Sequence, residues 1–309
     1  MNRRDFLAAA AAVPFSVRSG VAGPLALVTA DTEAAVVVVD PYEGRVLGRI
    51  ATRPDPRSIE RVGERAVIAH TAVGILTVLR GLEVAHVLAG FDEPRYTAGA
   101  PDGRHAFVTD SGRRDVAVVD LVRGVLVTRL HLGAWPRHVS IDESGRVLWV
   151  SLGNEAERLA VVDVTRPAEP RLVRRIRPPF LAHDVGFVPG RRHVWVTSGD
   201  RGALAIYDGR SGQVLGRLAA GSPPQHVTFR GGDAYVTSGD DGTLRVHSLE
   251  DGRVLRTTTI PTGSYNVQAG TGRILTPSLE HGTLSVLDGA GRLLRRMQAS
   301  RSSHDACFI

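Results

Sequence analysis

The sequence predicts an all-β chain: a seven-bladed β-propeller of four-stranded antiparallel blades, closed by the C-terminal strand completing the N-terminal blade. Three observations carry this expectation. A unit of short strands and tight turns recurs along the chain, its period is about 40 residues, and the two ends supply complementary parts of one unit.

The second strand of the unit is the easiest to recognise. Ala106-Phe-Val-Thr-Asp-Ser-Gly112, Val194-Trp-Val-Thr-Ser-Gly-Asp200 and Ala234-Tyr-Val-Thr-Ser-Gly-Asp240 are three versions of it. A third strand rich in Val or Leu follows, at Val116–Asp120, Leu204–Asp208 and Leu244–Ser248. After a glycine turn comes the fourth, as in Gly212-Gln-Val-Leu-Gly-Arg-Leu218 and Gly252-Arg-Val-Leu-Arg256. Short runs of β-branched residues between turn residues read as strands of a meander. Asp40, Asp120, Asp163, Asp208 and Asp288 close third strands, where a carboxylate can accept the amides of the following turn. Continuous valine, as at Val36–Val39, marks strands buried on both faces between neighbouring blades.

The first strand aligns on a central small or branched residue: Ile59, Thr97, Val139, Val185, Val227, Val267 and Ala306. The intervals are 38, 42, 46, 42, 40 and 39 residues. Pro101-Asp-Gly-Arg104 and Glu143-Ser-Gly-Arg146 turn the chain from first to second strand, and the longest interval holds an insertion at Arg166-Pro-Ala-Glu-Pro-Arg171. The chain enters on a second strand, Leu25-Ala-Leu-Val-Thr29. It ends on His304-Asp-Ala-Cys-Phe308, which matches the first strand His183-Asp-Val-Gly-Phe187. Pairing the two ends completes a seventh blade and removes the free sheet edge.

Two segments are expected: residues 1–23 as an export signal and 24–309 as the propeller. Met1-Asn2-Arg3-Arg4-Asp5-Phe6-Leu7, followed by an alanine run to Val13, resembles a twin-arginine export signal. A periplasmic or secreted protein is therefore expected. The apolar segment is far shorter than the ~20 residues of a membrane span. No cysteine follows it to carry a lipid anchor, because the only cysteine is Cys307. That also rules out an internal disulfide, and Cys307 is expected to pack as a small buried hydrophobe.

The net charge is +6, and all 38 basic side chains are arginine. Losing Arg3, Arg4, Asp5 and Arg18 with the signal would leave +4. The arginines are scattered rather than clustered, which argues against nucleic-acid binding. A monomer with no membrane span is expected.

The strings Phe107-Val-Thr-Asp-Ser-Gly112, Val116-Ala-Val-Val-Asp120, Gly133-Ala-Trp-Pro-Arg-His-Val-Ser140 and Pro101-Asp-Gly-Arg104 resemble the YVTN-repeat propellers of bacteria and archaea. These are similar in fold to the propellers of amine dehydrogenase and nitrite reductase. The resemblance spans nearly the whole chain after residue 24. It implies the propeller and no particular function, because the motifs consist of packing and turn residues.

Chemistry is expected at one mouth of the central channel, where the first strands begin. One position before the aligned residue lie Ser58, Tyr96, His138, Asp184, His226, Asn266 and Asp305. Two positions before lie Arg57, Arg95, Arg137, His183, Gln225, Tyr265 and His304. All fourteen are polar or carry a hydroxyl, and they hold four of the eleven histidines. Packing alone does not demand this.

Three readings remain open. His138, His183, His226 and His304, with Asp184 and Asp305, can bind a metal. Arg57, Arg95 and Arg137 can hold an anionic ligand through their planar forks. Alternatively the polar residues only solvate a water-filled mouth. No cofactor is specified, and the partner is a small or anionic ligand or another protein. Loops at His70, Asp110, Arg113, Arg114, Asn154, Asp200, Asp240, Asp241 and His281 are expected near this rim. Propeller enzymes such as virginiamycin B lyase and several lactonases use a channel-mouth metal with a histidine or glutamate base. The resemblance keeps a metal-assisted hydrolase or lyase as the alternative, although glutamate is absent from both columns.

Overall fold

The computed structural model describes residues 23–153 and 156–309. The expected export signal, apart from Gly23, and the loop residue Asn154 lie outside the described residues. Seven four-stranded antiparallel sheets form a ring. Their innermost strands are Pro56–Val62, Pro94–Gly99, Pro136–Ile141, Ala182–Phe187, Val227–Arg230, Gln268–Ala269 and Ala306–Phe308, which stand side by side around a central channel. A 3-10 turn at Thr71–Val73 is the only helical segment among the described residues. Among them no helix is long and apolar enough to cross a membrane.

The ring closes as the matching ends predict. Ala306–Phe308 pairs antiparallel with Ala26–Ala30, placing Ala26 opposite Phe308, Leu27 opposite Cys307 and Val28 opposite Ala306. The Ile309 amide adds a 2.9 Å hydrogen bond to the Leu25 carbonyl.

The core is divided into clusters between consecutive blades, because each sheet buries both faces. The valine run at 36–39 shows how a period of two serves this. Val36 and Val38 pack on Ile59, Ile68 and Leu79 of the second blade. Val37 and Val39 point the other way, onto Leu275, Leu284 and Val286 of the seventh. The strand-closing aspartates do what their positions suggest. Asp120 Oδ1 accepts the Val122 and Arg123 amides at 3.0 Å each, and Asp40 does the same for Tyr42 and Glu43.

Cys307 is buried between the first and second blades. Burial, with Glu60 and Asp305 nearby, pushes its thiol well above the usual range. The thiolate is the reactive species. The folded protein is therefore expected to resist a thiol-disulfide reagent at pH 8 and to react with one equivalent once denatured; rapid native labelling would contradict the packing.

Candidate functional site: a histidine-lined channel mouth

The placement of the two polar columns begins with a backbone irregularity. In blades two to five the inner strand slips register between the residue three before the aligned position and the aligned residue itself, or the one before it. The slips are at Pro56/Ser58, Pro94/Thr97, Pro136/Val139 and Ala182/Val185. The extra residue of such a bulge re-aims side chains and interrupts the ladder. Amides freed there find a hydroxyl on the second strand. Tyr96 N donates to Thr109 Oγ1 at 3.1 Å, Asp184 N to Thr197 Oγ1 at 2.8 Å, and His138 N to Ser151 Oγ at 3.0 Å. The same threonines reach the next blade: Thr109 donates to the Arg137 carbonyl and Thr197 to the Gln225 carbonyl, both at 2.7 Å. The recurrent Val-Thr pair thus pins the backbone that carries the site.

The columns separate along the channel. Arg57, Arg95, Arg137, His183, Gln225, Tyr265 and His304 line an outer cavity of about 280 Å³. Ser58, His138, Asp184, Asn266 and Asp305 face an inner cavity of about 310 Å³. Tyr96 and His226 border both, so the rings stand as a partition between the two. The expectation that all fourteen residues ring the mouth is therefore corrected: one column lines the outer cavity and the other faces the inner one, with Tyr96 and His226 reaching both.

At the partition three imidazoles converge. His138, His183 and His226 each offer a ring nitrogen, and these atoms lie within 4.8 Å of one another. Ring centroids are 4.5 Å apart for His138–His183, 4.6 Å for His138–His226 and 5.2 Å for His183–His226. Tyr96 stacks on His138 at 4.0 Å.

Their partners assign the tautomers. His183 Nδ1 donates to the Gln225 carbonyl at 2.9 Å, which leaves Nε2 with a lone pair. His226 Nδ1 lies 3.3 Å from Asp184 Oδ2, and its buried Nε2 has no partner. His138 is 1% exposed, and neither of its ring nitrogens has a partner. Burial, together with the neighbouring imidazoles and the Arg137 guanidinium, holds His138 and His183 well below the ordinary imidazole range, so both are neutral. His304 is neutral for similar reasons, burial first and Arg57 second. It stands outside the converging set, with Nδ1 donating to the Arg57 carbonyl at 2.9 Å.

The carboxylates of these columns are engaged elsewhere. Asp184 accepts the Val227 amide at 3.1 Å and the Val185 amide at 2.8 Å. Asp305 accepts the Ile59 amide at 3.0 Å and the Ala306 amide at 2.8 Å. Each thus bonds the open edge of the next inner strand. Asp184 reaches the site only through His226, which it orients. Asn266 holds the His304 carbonyl at 2.8 Å, and Ser58 bonds the Arg95 carbonyl. His70, expected at the rim, is a buried structural residue: Nδ1 lies 3.0 Å from the Pro54 carbonyl and Nε2 2.9 Å from Thr77 Oγ1.

One row of channel residues escaped the sequence reading. Glu60, Ala98, Ser140, Gly186, Thr228 and Gln268 follow the aligned positions and line the inner cavity. Strand alternation points to them, because a residue two beyond a channel-facing one faces the same side. Burial raises the Glu60 carboxyl to about 7, opposed by a 3.4 Å hydrogen bond from Gln268 Nε2. Burial likewise raises Asp31 to about 7, with Arg57 acting in the opposite sense.

These raised carboxyls set the direction of pH dependence. An acid whose folded value exceeds its unfolded one contributes stability below the unfolded value and loses it as pH rises through the folded value. The contribution of these two carboxyls is therefore expected to fall between about pH 5 and pH 8, against a rise up to about pH 6.5 from the buried neutral histidines His138, His183 and His304. The melting temperature of Glu60→Gln should gain on that of the unaltered protein as pH rises from about 5 to 8, and a difference that stays constant across the range would contradict the assignment to Glu60.

The fold and site define a seven-bladed β-propeller with a polar, histidine-lined channel mouth. No family model matches the chain, and no curated protein matches its sequence. Solved structures do resemble it. A functionally unknown protein from Desulfotomaculum acetoxidans DSM 771 superposes with a TM-score of 0.81 at 10% identity, over 93% of this chain and 99% of that one. Apo AztD from Citrobacter koseri gives 0.71 at 11% identity, over 92% and 98%. The dihydro-heme d1 dehydrogenase NirN in complex with DHE gives 0.65 at 17% identity, over 89% of this chain and 63% of that one. At such identities the likeness establishes the propeller and nothing finer.

Proposed function

We propose that the protein is an exported, YVTN-type binding propeller whose channel mouth takes up a divalent transition-metal ion, zinc being the first candidate, on His138, His183 and His226. The reading is carried by the convergence of three imidazoles whose candidate ligand atoms lie within 4.8 Å of one another, in a partition where no side chain hydrogen-bonds the His138 ring. Neutral imidazole is an ordinary zinc ligand at about 2.0–2.1 Å. Tetrahedral binding requires those nitrogens to approach to about 3.4 Å, a contraction that side-chain rotation supplies. His183 and His226 already carry the outer hydrogen bonds, to a carbonyl and a carboxylate, that orient metal-binding imidazoles.

Binding is favoured over turnover by the state of the acids. Asp184 holds backbone amides, and Asp240 at the mouth accepts hydrogen bonds from Gln225 at 3.0 Å and Tyr265 at 3.3 Å. No carboxylate among the described residues of the outer cavity stands free to act as a base, and His138, His183 and His226, which the hydrolase or lyase alternative could use instead, are assigned to the metal. Export rests on Arg3-Arg4 and the apolar run behind them. The test is a titration of metal-free protein with zinc against a chromophoric chelator. One tightly held equivalent is expected, lost when all three histidines are replaced by alanine. Equal uptake by both proteins would refute the reading.

A further inference from the structure

The outer cavity also gathers three arginines against one lining carboxylate, Asp240, in a way that bare metal uptake does not explain. Arg57, Arg95 and Arg137 come from three successive blades and line it together. None of their guanidinium groups makes a hydrogen bond among the described residues. The nearest carboxylates are Asp31, 3.7 Å from Arg57, and Glu93, 3.8 Å from Arg95. Arg95 Nε and Arg137 Nε are buried without a partner. Arg95 is held in place with its guanidinium 4.2 Å from the centre of the Trp135 ring.

Buried donors without acceptors are costly, and like charges that share a cavity repel. Such an arrangement persists where the missing acceptors arrive with a ligand. A guanidinium fork offers five donors matched to the two oxygens of a carboxylate. A bare divalent cation approaching through three guanidiniums is repelled, whereas an anionic complex of that cation is attracted. The His183 and His226 rings line the same cavity as the arginines, so an anion held there lies over the metal. The cavity, of about 280 Å³, is on the scale of a small di- or tricarboxylate.

We infer that Arg57, Arg95 and Arg137 hold a small polycarboxylate in the outer cavity, where it completes the coordination of the metal bound by the three histidines. The inference rests on the metal reading for the second half of that statement only. The arginine site exists without it.

Isothermal titration of citrate into metal-free and zinc-loaded protein, with inorganic phosphate and chloride as comparison anions, tests this. Citrate is expected to bind the metal-free protein measurably, and the zinc-loaded protein at least tenfold more tightly. Arg95→Gln/Arg137→Gln should weaken citrate at least 30-fold and leave zinc affinity unchanged or higher. The melting temperature of that variant should hold or rise, because a repulsive pair has been neutralised. Citrate affinity unchanged in the variant would overturn the inference, as would preference for phosphate over citrate or no citrate binding at all. If citrate binds the metal-free protein and zinc is not taken up, the metal reading falls and the anion site stands alone. If zinc binds and citrate affinity is the same with and without it, the metal reading stands and the coordinating role of the anion is wrong.

Discussion

Replacing His138 by phenylalanine is expected to lower zinc affinity by at least ~100-fold while leaving the fold intact. Loss of an outer hydrogen bond to a metal-bound imidazole costs about 10–100-fold, and loss of the ligand itself exceeds that. His138 is the residue to change because no side chain hydrogen-bonds its ring, and the His183 backbone is the polar group beside it. His138 is buried between Tyr96 and the other two imidazoles, and both ring nitrogens lack a partner. A buried polar ring without a hydrogen bond weakens a protein by about 1–3 kcal/mol. Phenylalanine keeps the aromatic volume and the stack on Tyr96 while removing the lone pairs. The melting temperature of His138→Phe in the absence of metal should therefore match or exceed that of the unaltered protein. The pairing of lost affinity with retained stability separates a ligand from a packing residue. A variant that binds zinc normally would remove His138 from the site. One that unfolds would make it structural.

Ending the chain at Asp305 is expected to abolish a stable propeller. The four residues removed include the strand Ala306–Phe308 and the Ile309 amide that bonds the Leu25 carbonyl. Phe308 packs in the cluster shared by the first and seventh blades, where a Cβ on Gly270 would approach its ring to 2.3 Å. Truncating a buried phenylalanine typically costs about 3–5 kcal/mol, a large share of a stability of about 5–15 kcal/mol. The fully buried strand Ala26–Ala30 would at the same time become an open edge able to pair with another chain. The expected result is aggregation on expression, or a fall in melting temperature of at least ~10 °C in the soluble fraction. A soluble protein with an unchanged melting temperature would show that the ring does not depend on this closure.

The fold was legible because its determinants repeat. Alternation in the valine runs and the strand-closing aspartates each have one structural solution, and repetition, in five blades for the aspartates, reinforces it. The polar columns were legible from the same alignment, since His138, His183 and His226 occupy equivalent starts of inner strands. What they do there was not. Whether a residue faces the outer or the inner cavity is settled by how the seven inner strands stand around the channel, and no residue type in the strand announces it. Asp184 and Asp305 read as ligands by chemistry, yet their carboxylates meet the amides of the next blade, a contact visible only once the blades are side by side. Glu60 and Gln268 lie two residues further along the strand than Ser58 and Asn266, in a row where Ala98 and Gly186 interrupt the polar pattern.

The most direct test of the metal site is anomalous diffraction at the zinc edge from crystals of protein loaded with one equivalent of zinc. The account predicts a single strong peak about 2.0–2.1 Å from one ring nitrogen each of His138, His183 and His226. A well-occupied peak at exposed histidines such as His281, with those three rings unchanged and unoccupied, would contradict it.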